Sequence, residues 1–119
     1  PQGNCVSPTQ LAPFLQIGEQ KYGKPILDRI ILFDTSLETV ALCGLVSMDS
    51  TMRSNAGVGP PIELMMYRTG ARHSHTHVVY EEDDPYLRKI REAWAENLRL
   101  AFDRLPPISL PPKVRLVDR

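Results

Sequence analysis

Five groups of residues have types and spacings that could do chemistry. The first is Asp49-Ser50-Thr51 with Ser54, where a carboxylate and hydroxyls fall within six positions. Such a set can support proton transfer in an active site. It also matches the end of a helix, where small polar side chains bind free backbone groups. The second is His73, His75 and His77, which alternate. On a strand they share one face, and three imidazoles can bind zinc or nickel. They have no acidic or thiol partner at fixed spacing, and Arg72 beside them repels a cation, so a solvated hairpin is the better account. The third is Lys21, Lys24 and Arg29 with Tyr22, which could grip an anion at a helix start but reads more simply as a solvated helix face. The fourth, Glu81 to Asp84, could hold a divalent metal, although N-capping of the following helix explains the run. The fifth is an apolar stripe from Leu87 to Leu105, read as core or subunit interface. Met65 and Met66 fall on opposite faces of a strand and need no special role.

The elements that must position these residues can be read from periodicity. Asn4–Val6 and Phe14–Gly18 read as two short strands, the second largely buried, joined by a proline-flanked loop. Gly23-Lys24-Pro25 opens a helix with Ile26, Leu27, Ile30 and Ile31 on its apolar face. Asp34-Thr35-Ser36 stops it, and Thr35 with Glu38 has capping-box spacing for the next helix. That helix carries Leu37, Val40, Ala41, Leu45, Val46 and Met48 and fades from Asp49 to Asn55. Gly44 in its middle implies close approach by a neighbour. Ile62–Tyr67 and Thr76–Tyr80 read as a hairpin with a turn from Thr69 to about His75. Asp84 then caps a helix with Pro85 in its first turn. Leu87, Ile90, Trp94, Leu98, Ala101, Phe102 and Leu105 form its stripe, and Pro106-Pro107 ends it.

The expected fold class is therefore α+β, an antiparallel sheet with helices on one face. Residues 1–107 form the folded unit and 108–119 a proline-rich tail. Fourteen basic residues balance 14 acidic ones, which argues against a nucleic-acid or membrane-surface partner. Hydrophobic content of 42% is ordinary for a soluble domain, and the apolar runs are too short to span a bilayer. Cys5 and Cys43 lack CxxC spacing and read as isolated thiols. A cytoplasmic setting fits these features.

Three segments carry a resemblance to a known family. Phe14-Leu15-Gln16-Ile17-Gly18-Glu19-Gln20-Lys21-Tyr22-Gly23-Lys24-Pro25-Ile26-Leu27-Asp28-Arg29 is similar to a segment of Anbu-type bacterial proteasome-related subunits. So are Leu45-Val46-Ser47-Met48-Asp49-Ser50-Thr51-Met52-Arg53-Ser54-Asn55 and Glu82-Asp83-Asp84-Pro85-Tyr86 leading into the Trp-bearing helix. The order and spacing agree over roughly residues 3 to 105. The tail and the His-rich turn match poorly.

The resemblance implies the second half of the four-layer αββα sandwich of N-terminal nucleophile hydrolases, shared with proteasome β subunits and the HslV peptidase. It implies peptide-bond hydrolysis by an N-terminal threonine, activated in part by its own amine. That threonine is not among these residues, and Pro1 has no hydroxyl. The expectation is that the N-terminal half lies outside this stretch, which alone is inactive. The resemblance further implies supporting roles for Ser54, Thr51 and Asp49, Ser54 matching a hydroxyl that orients the amine. The backbone carbonyls of Met48, Thr51 and Ser54 match positions that hold a cation in relatives, so a structural Na or Mg ion is implied and no other cofactor. Two positions depart from the pattern: Thr51, where β subunits usually carry aspartate, and Glu19-Gln20, where many relatives have serine. Implied partners are further copies of the subunit in a ring or spiral, the N-terminal half and a peptide substrate. An alternative from another class is a non-catalytic α+β self-assembly or binding module. A His-based metal protein would require His73, His75 and His77 to converge.

Overall fold

The computed structural model describes residues 3, 5–70, 72 and 75–112. The chain runs through α1 (Lys24–Ile30), α2 (Leu37–Ser54), β1 (Ile62–Tyr67), β2 (His75–Tyr80) and α3 (Pro85–Asp103). The architecture is α+β: three helices and a two-stranded antiparallel sheet.

The hairpin pairs Ile62 with Tyr80, Leu64 with Val78 and Met66 with Thr76 on one face. Alternation of side chains turns Ile62, Leu64 and Met66 inward and Glu63, Met65 and Tyr67 outward. The inner face joins a core of Leu45, Val46, Ile62, Leu87 and Ile90, against which Met48, Met52, Tyr80 and Trp94 pack. Both long helices thus lie on the same side of the sheet. A second cluster of Leu27, Ile31 and Cys43, with Phe14 and Val40 against it, fixes α1 to α2.

Asp84 caps α3, accepting hydrogen bonds from the backbone N–H of Tyr86 at 2.8 Å and of Leu87 at 3.2 Å. The apolar stripe of α3 is only half used. Leu87 and Ile90 are buried and Trp94 partly so, whereas Leu98, Phe102 and Leu105 are exposed.

Four expectations need correction. Phe14–Gly18 is not a strand, and neither Cys5 nor Val6 lies in one; Asn4 is outside the described residues. A strand requires a partner for its ladder, and β1 and β2 pair only with each other among the described residues. The expected burial of Phe14–Gly18 also fails, since Ile17 is 93% exposed. The cap of α2 is Ser36, whose hydroxyl accepts from Thr39 N–H, while the Thr35 hydroxyl accepts from Leu32 N–H. The fade expected through Asp49 to Asn55 falls where α2 ends, at Ser54, and the polar residues before that end remain helical. Gly44 has no atom near a hypothetical Cβ; the close approach is at Gly23 instead.

Candidate functional site

The last turns of α2 divide its polar residues between two faces. Two residues of helix rotate the side chain by about 200°, so Asp49 and Thr51 point to opposite sides. Asp49 turns to α3. It is 5% exposed, and its Oδ1 accepts from Arg91 Nε at 3.0 Å. Its Oδ2 is buried and has no hydrogen-bond partner among the described residues.

Ser47, Thr51 and Ser54 share the other face at helical spacing. Ser47 and Thr51 are buried, and Ser54 is exposed on the final turn. The Thr51 hydroxyl donates to the Ser47 carbonyl at 2.9 Å, which leaves its oxygen as an acceptor only. This face meets the start of α1. A Cβ on Gly23 would lie 2.2 Å from Ser47 Oγ, and 3.2 Å from both Ser47 O and Thr51 Oγ1. Glycine is required there by space, since its φ of −91° suits any residue.

The segment before α1 covers the same face. Gly18 adopts φ +79°, a left-handed conformation that glycine takes without penalty. The chain thereby folds back, with Gln20 Nε2 donating to Gln16 O at 2.7 Å and Lys21 N–H to Glu19 Oε1 at 2.8 Å. Between this fold and α2 lies a cavity of about 250 Å³, lined by Gln16, Ile17, Glu19, Ser47, Met48, Thr51 and Val58. Gln16, Ser47 and Met48 also wall an adjoining, largely apolar cavity of about 240 Å³ that reaches Ile62.

The three carbonyls named from the resemblance fall on this part of α2. Met48 lies inside the helix, the Thr51 carbonyl accepts from Asn55 N–H at 2.8 Å, and Ser54 is the last helical residue. A helix C-terminus carries partial negative charge, and no Lys, Arg or His lines the cavity beside it. Carbonyl oxygen is the donor type that a hard cation such as Na or Mg takes.

The other candidate groups do not converge. His75 stacks on Tyr67 with ring centroids 5.3 Å apart, and His77 Nε2 meets Glu63 Oε2 at 3.1 Å. His73 lies outside the described residues. Among the described residues no three His, Cys, Asp or Glu side chains are placed to hold a metal. Lys24 pairs with Asp28 at 2.7 Å, and Lys21 lies over the Tyr22 ring, so these cations are not gathered round an anion. Asp84 is used as the cap. Sequence reasoning did not single out Gln16, Ser47 or Gly23 as site residues; the spacing of Ser47 with Thr51 was the one readable signal. No helix among the described residues is long and apolar enough to cross a membrane.

The chain is similar in fold and sequence to solved ancestral β-subunits. These are the proteins called Anbu. Anbu from Yersinia bercovieri is 44% identical, with a TM-score of 0.79, over 92% of this chain and 47% of its own. The helical assembly of the Anbu complex from Pseudomonas aeruginosa gives 47% and 0.83, over 94% of this chain and 45% of its own. Anbu from Hyphomicrobium sp. strain MC1 gives 41% and 0.85, over 92% and 47%. The chain thus spans a little under half the length of each. No family model and no curated protein matches it.

Proposed function

We propose that the chain is the C-terminal half of an Anbu-type subunit and works within a self-compartmentalising threonine peptidase. The observation that carries this reading is identity of 41–47% along 90–94% of the chain to proteins about twice as long. In this reading the other half supplies an N-terminal threonine. Its hydroxyl attacks the peptide carbonyl while its amine accepts the proton. The present residues form the floor beneath that amine. Ser54 orients it, Thr51 and Asp49 support the end of α2, and the carbonyls of Met48, Thr51 and Ser54 hold a structural Na or Mg ion that fixes the turn electrostatically. Copies of the subunit associate, as in the Pseudomonas aeruginosa helical assembly.

The test is N-terminal sequencing and intact mass measurement of the gene product, followed by hydrolysis of fluorogenic peptides. A mature threonine at the N-terminus with peptide cleavage supports the reading. A product whose sequence begins near Pro1, with no companion half, removes it. A second reading, a non-catalytic self-assembly module, draws on the uncovered Leu98 and Phe102 of α3 and Leu105 just beyond it. It expects a multimer in light scattering and no hydrolysis.

A further inference from the structure

The cavity between the Gly18 fold and α2 has one feature the proposed machinery does not use. Gln16 Nε2 faces the Glu19 carbonyl at 3.5 Å. That long contact favours this orientation of the amide, because the flipped amide would set oxygen against oxygen. Its Oε1 is then buried with no hydrogen-bond donor among the described residues. Buried acceptors in folded proteins nearly always have a partner, so this one calls for a donor from elsewhere.

The other lining groups narrow the donor's chemistry. Glu19 supplies a carboxylate held in place by Lys21 N–H. Thr51 has spent its hydrogen on the Ser47 carbonyl. No basic side chain lines the space. The polar side of this otherwise apolar wall, a carboxylate, an amide oxygen and a hydroxyl oxygen beside Ile17, Met48 and Val58, suits a positively charged donor on an aliphatic carbon. Its volume of about 250 Å³ admits a residue-sized group.

We infer that Gln16 is a positioning residue, whose Oε1 accepts a hydrogen bond from a primary ammonium group entering this cavity. Resting on the peptidase reading, the group is the α-amine of the subunit's N-terminal residue. A lysine side chain of the other half has the same chemistry and is the alternative source. Gln16 holds the amine between the Glu19 loop and Thr51 and raises its proton affinity, so that it stays bound as the ammonium after taking the hydroxyl's proton.

The test is trace acylation of the intact gene product across pH 6–10, with each amine's labelling rate read by peptide mass spectrometry. The variants are Gln16→Leu, which removes the acceptor at similar volume, and Gln16→Glu, which keeps an acceptor and adds charge. One amine is expected to label about tenfold faster near neutral pH in Gln16→Leu, since a lost bond to a charged donor lowers its proton affinity by about one pH unit. The same amine is expected to label more slowly in Gln16→Glu. Should Gln16→Leu fail to fold by circular dichroism, the Gln16→Glu variant decides alone. Movement of a lysine rather than the α-amine supports the cavity's chemistry and removes the peptidase assignment. Peptide hydrolysis with no amine shifted in a folded variant overturns the role of Gln16 and leaves the peptidase reading intact.

Discussion

Replacing Gly23 by alanine tests whether the start of α1 is pressed against the site face of α2. The new Cβ would stand 2.2 Å from Ser47 Oγ, well inside the 3.0 Å below which real Cβ contacts essentially do not occur. Rotating Ser47 relieves that contact at about 0.5–1.5 kcal/mol if an off-rotamer angle is needed. Two contacts at 3.2 Å remain, to Ser47 O and Thr51 Oγ1. The first is helix backbone, and the second is tied to it by the 2.9 Å hydrogen bond, so neither yields freely. The start of α1 must move away from α2. Overpacking of this kind costs about 1–3 kcal/mol. Against it stands a gain of about 0.4–1 kcal/mol from the stiffer unfolded chain, since the backbone at Gly23 is already helical. The expected net loss is about 1.3 kcal/mol, the difference between the midpoints of these two ranges. Urea unfolding followed by circular dichroism measures it.

The double variant Gly23→Ala with Ser47→Ala removes the worst contact. It is expected to recover about 0.5–1 kcal/mol beyond additivity, the scale of coupling between touching residues. A Gly23→Ala protein as stable as the parent, with no coupling to Ser47, would refute the packing argument. It would also remove the geometric basis for the cavity, whose wall shares Ser47 and Thr51 with this contact.

Arg91→Met is expected to cost about 1–3 kcal/mol, because it strands the buried Asp49 carboxylate; the value lies below that of a fully buried pair since Arg91 is half exposed. Adding Asp49→Leu should restore much of the loss in thermal melts, and a further drop instead would contradict it. Burial pushes the Cys43 thiol above its ordinary range, and burial, then Tyr86 and Asp84, push the Tyr80 phenol up. Both groups keep their protons longer in the folded state than in the unfolded one, so their contribution is full below their ordinary values and is lost as pH rises through and above them. Stability should therefore decline above about pH 9. A thiol reagent should modify exposed Cys5 in the native protein and Cys43 only on unfolding; equal native rates would contradict the buried placement.

The hairpin and α3 were legible because their signals are local. The short apolar run Ile62–Tyr67, bounded by Pro60-Pro61 and Thr69-Gly70, and the Asp84-Pro85 start each specify an element with no help from distant residues. The misreadings occur where a distant partner decides. Phe14–Gly18 has the apolar content of a strand, but backbone pairing depends on an edge that residues 14–18 do not contain. Asp49-Ser50-Thr51 has the composition of a helix end, yet Asp49 is held by Arg91, 42 positions away, and Thr51 bonds the Ser47 carbonyl. With the Asp49 carboxylate drawn to Arg91, it no longer competes for the backbone N–H groups, and the helical ladder runs on to Ser54. The two glycines make the same point. Gly44 lies mid-helix and looked like a contact, whereas Gly23 looked like punctuation, and only the crossing of α1 over Ser47 assigns their roles. The carbonyls of Met48, Thr51 and Ser54 were reached through resemblance alone, and Gln16 has no periodic signature at all.

These particulars meet in one feature of α2. Its C-terminal turns hold a carboxylate toward α3 and hydroxyls toward the Gly18 fold, about 200° apart round the axis. Scaffold and candidate site therefore share a helix but not a face, and the two perturbations above should separate. Loss of Arg91 acts on the α3 face and should lower stability while leaving the amine-labelling profile unchanged. Gly23→Ala acts on the opposite face and should alter both. If Arg91→Met shifted the labelling profile in the folded protein, the end of α2 would be transmitting strain between its faces. The cavity's acceptors would then have to be understood together with the Asp49–Arg91 pair rather than apart from it.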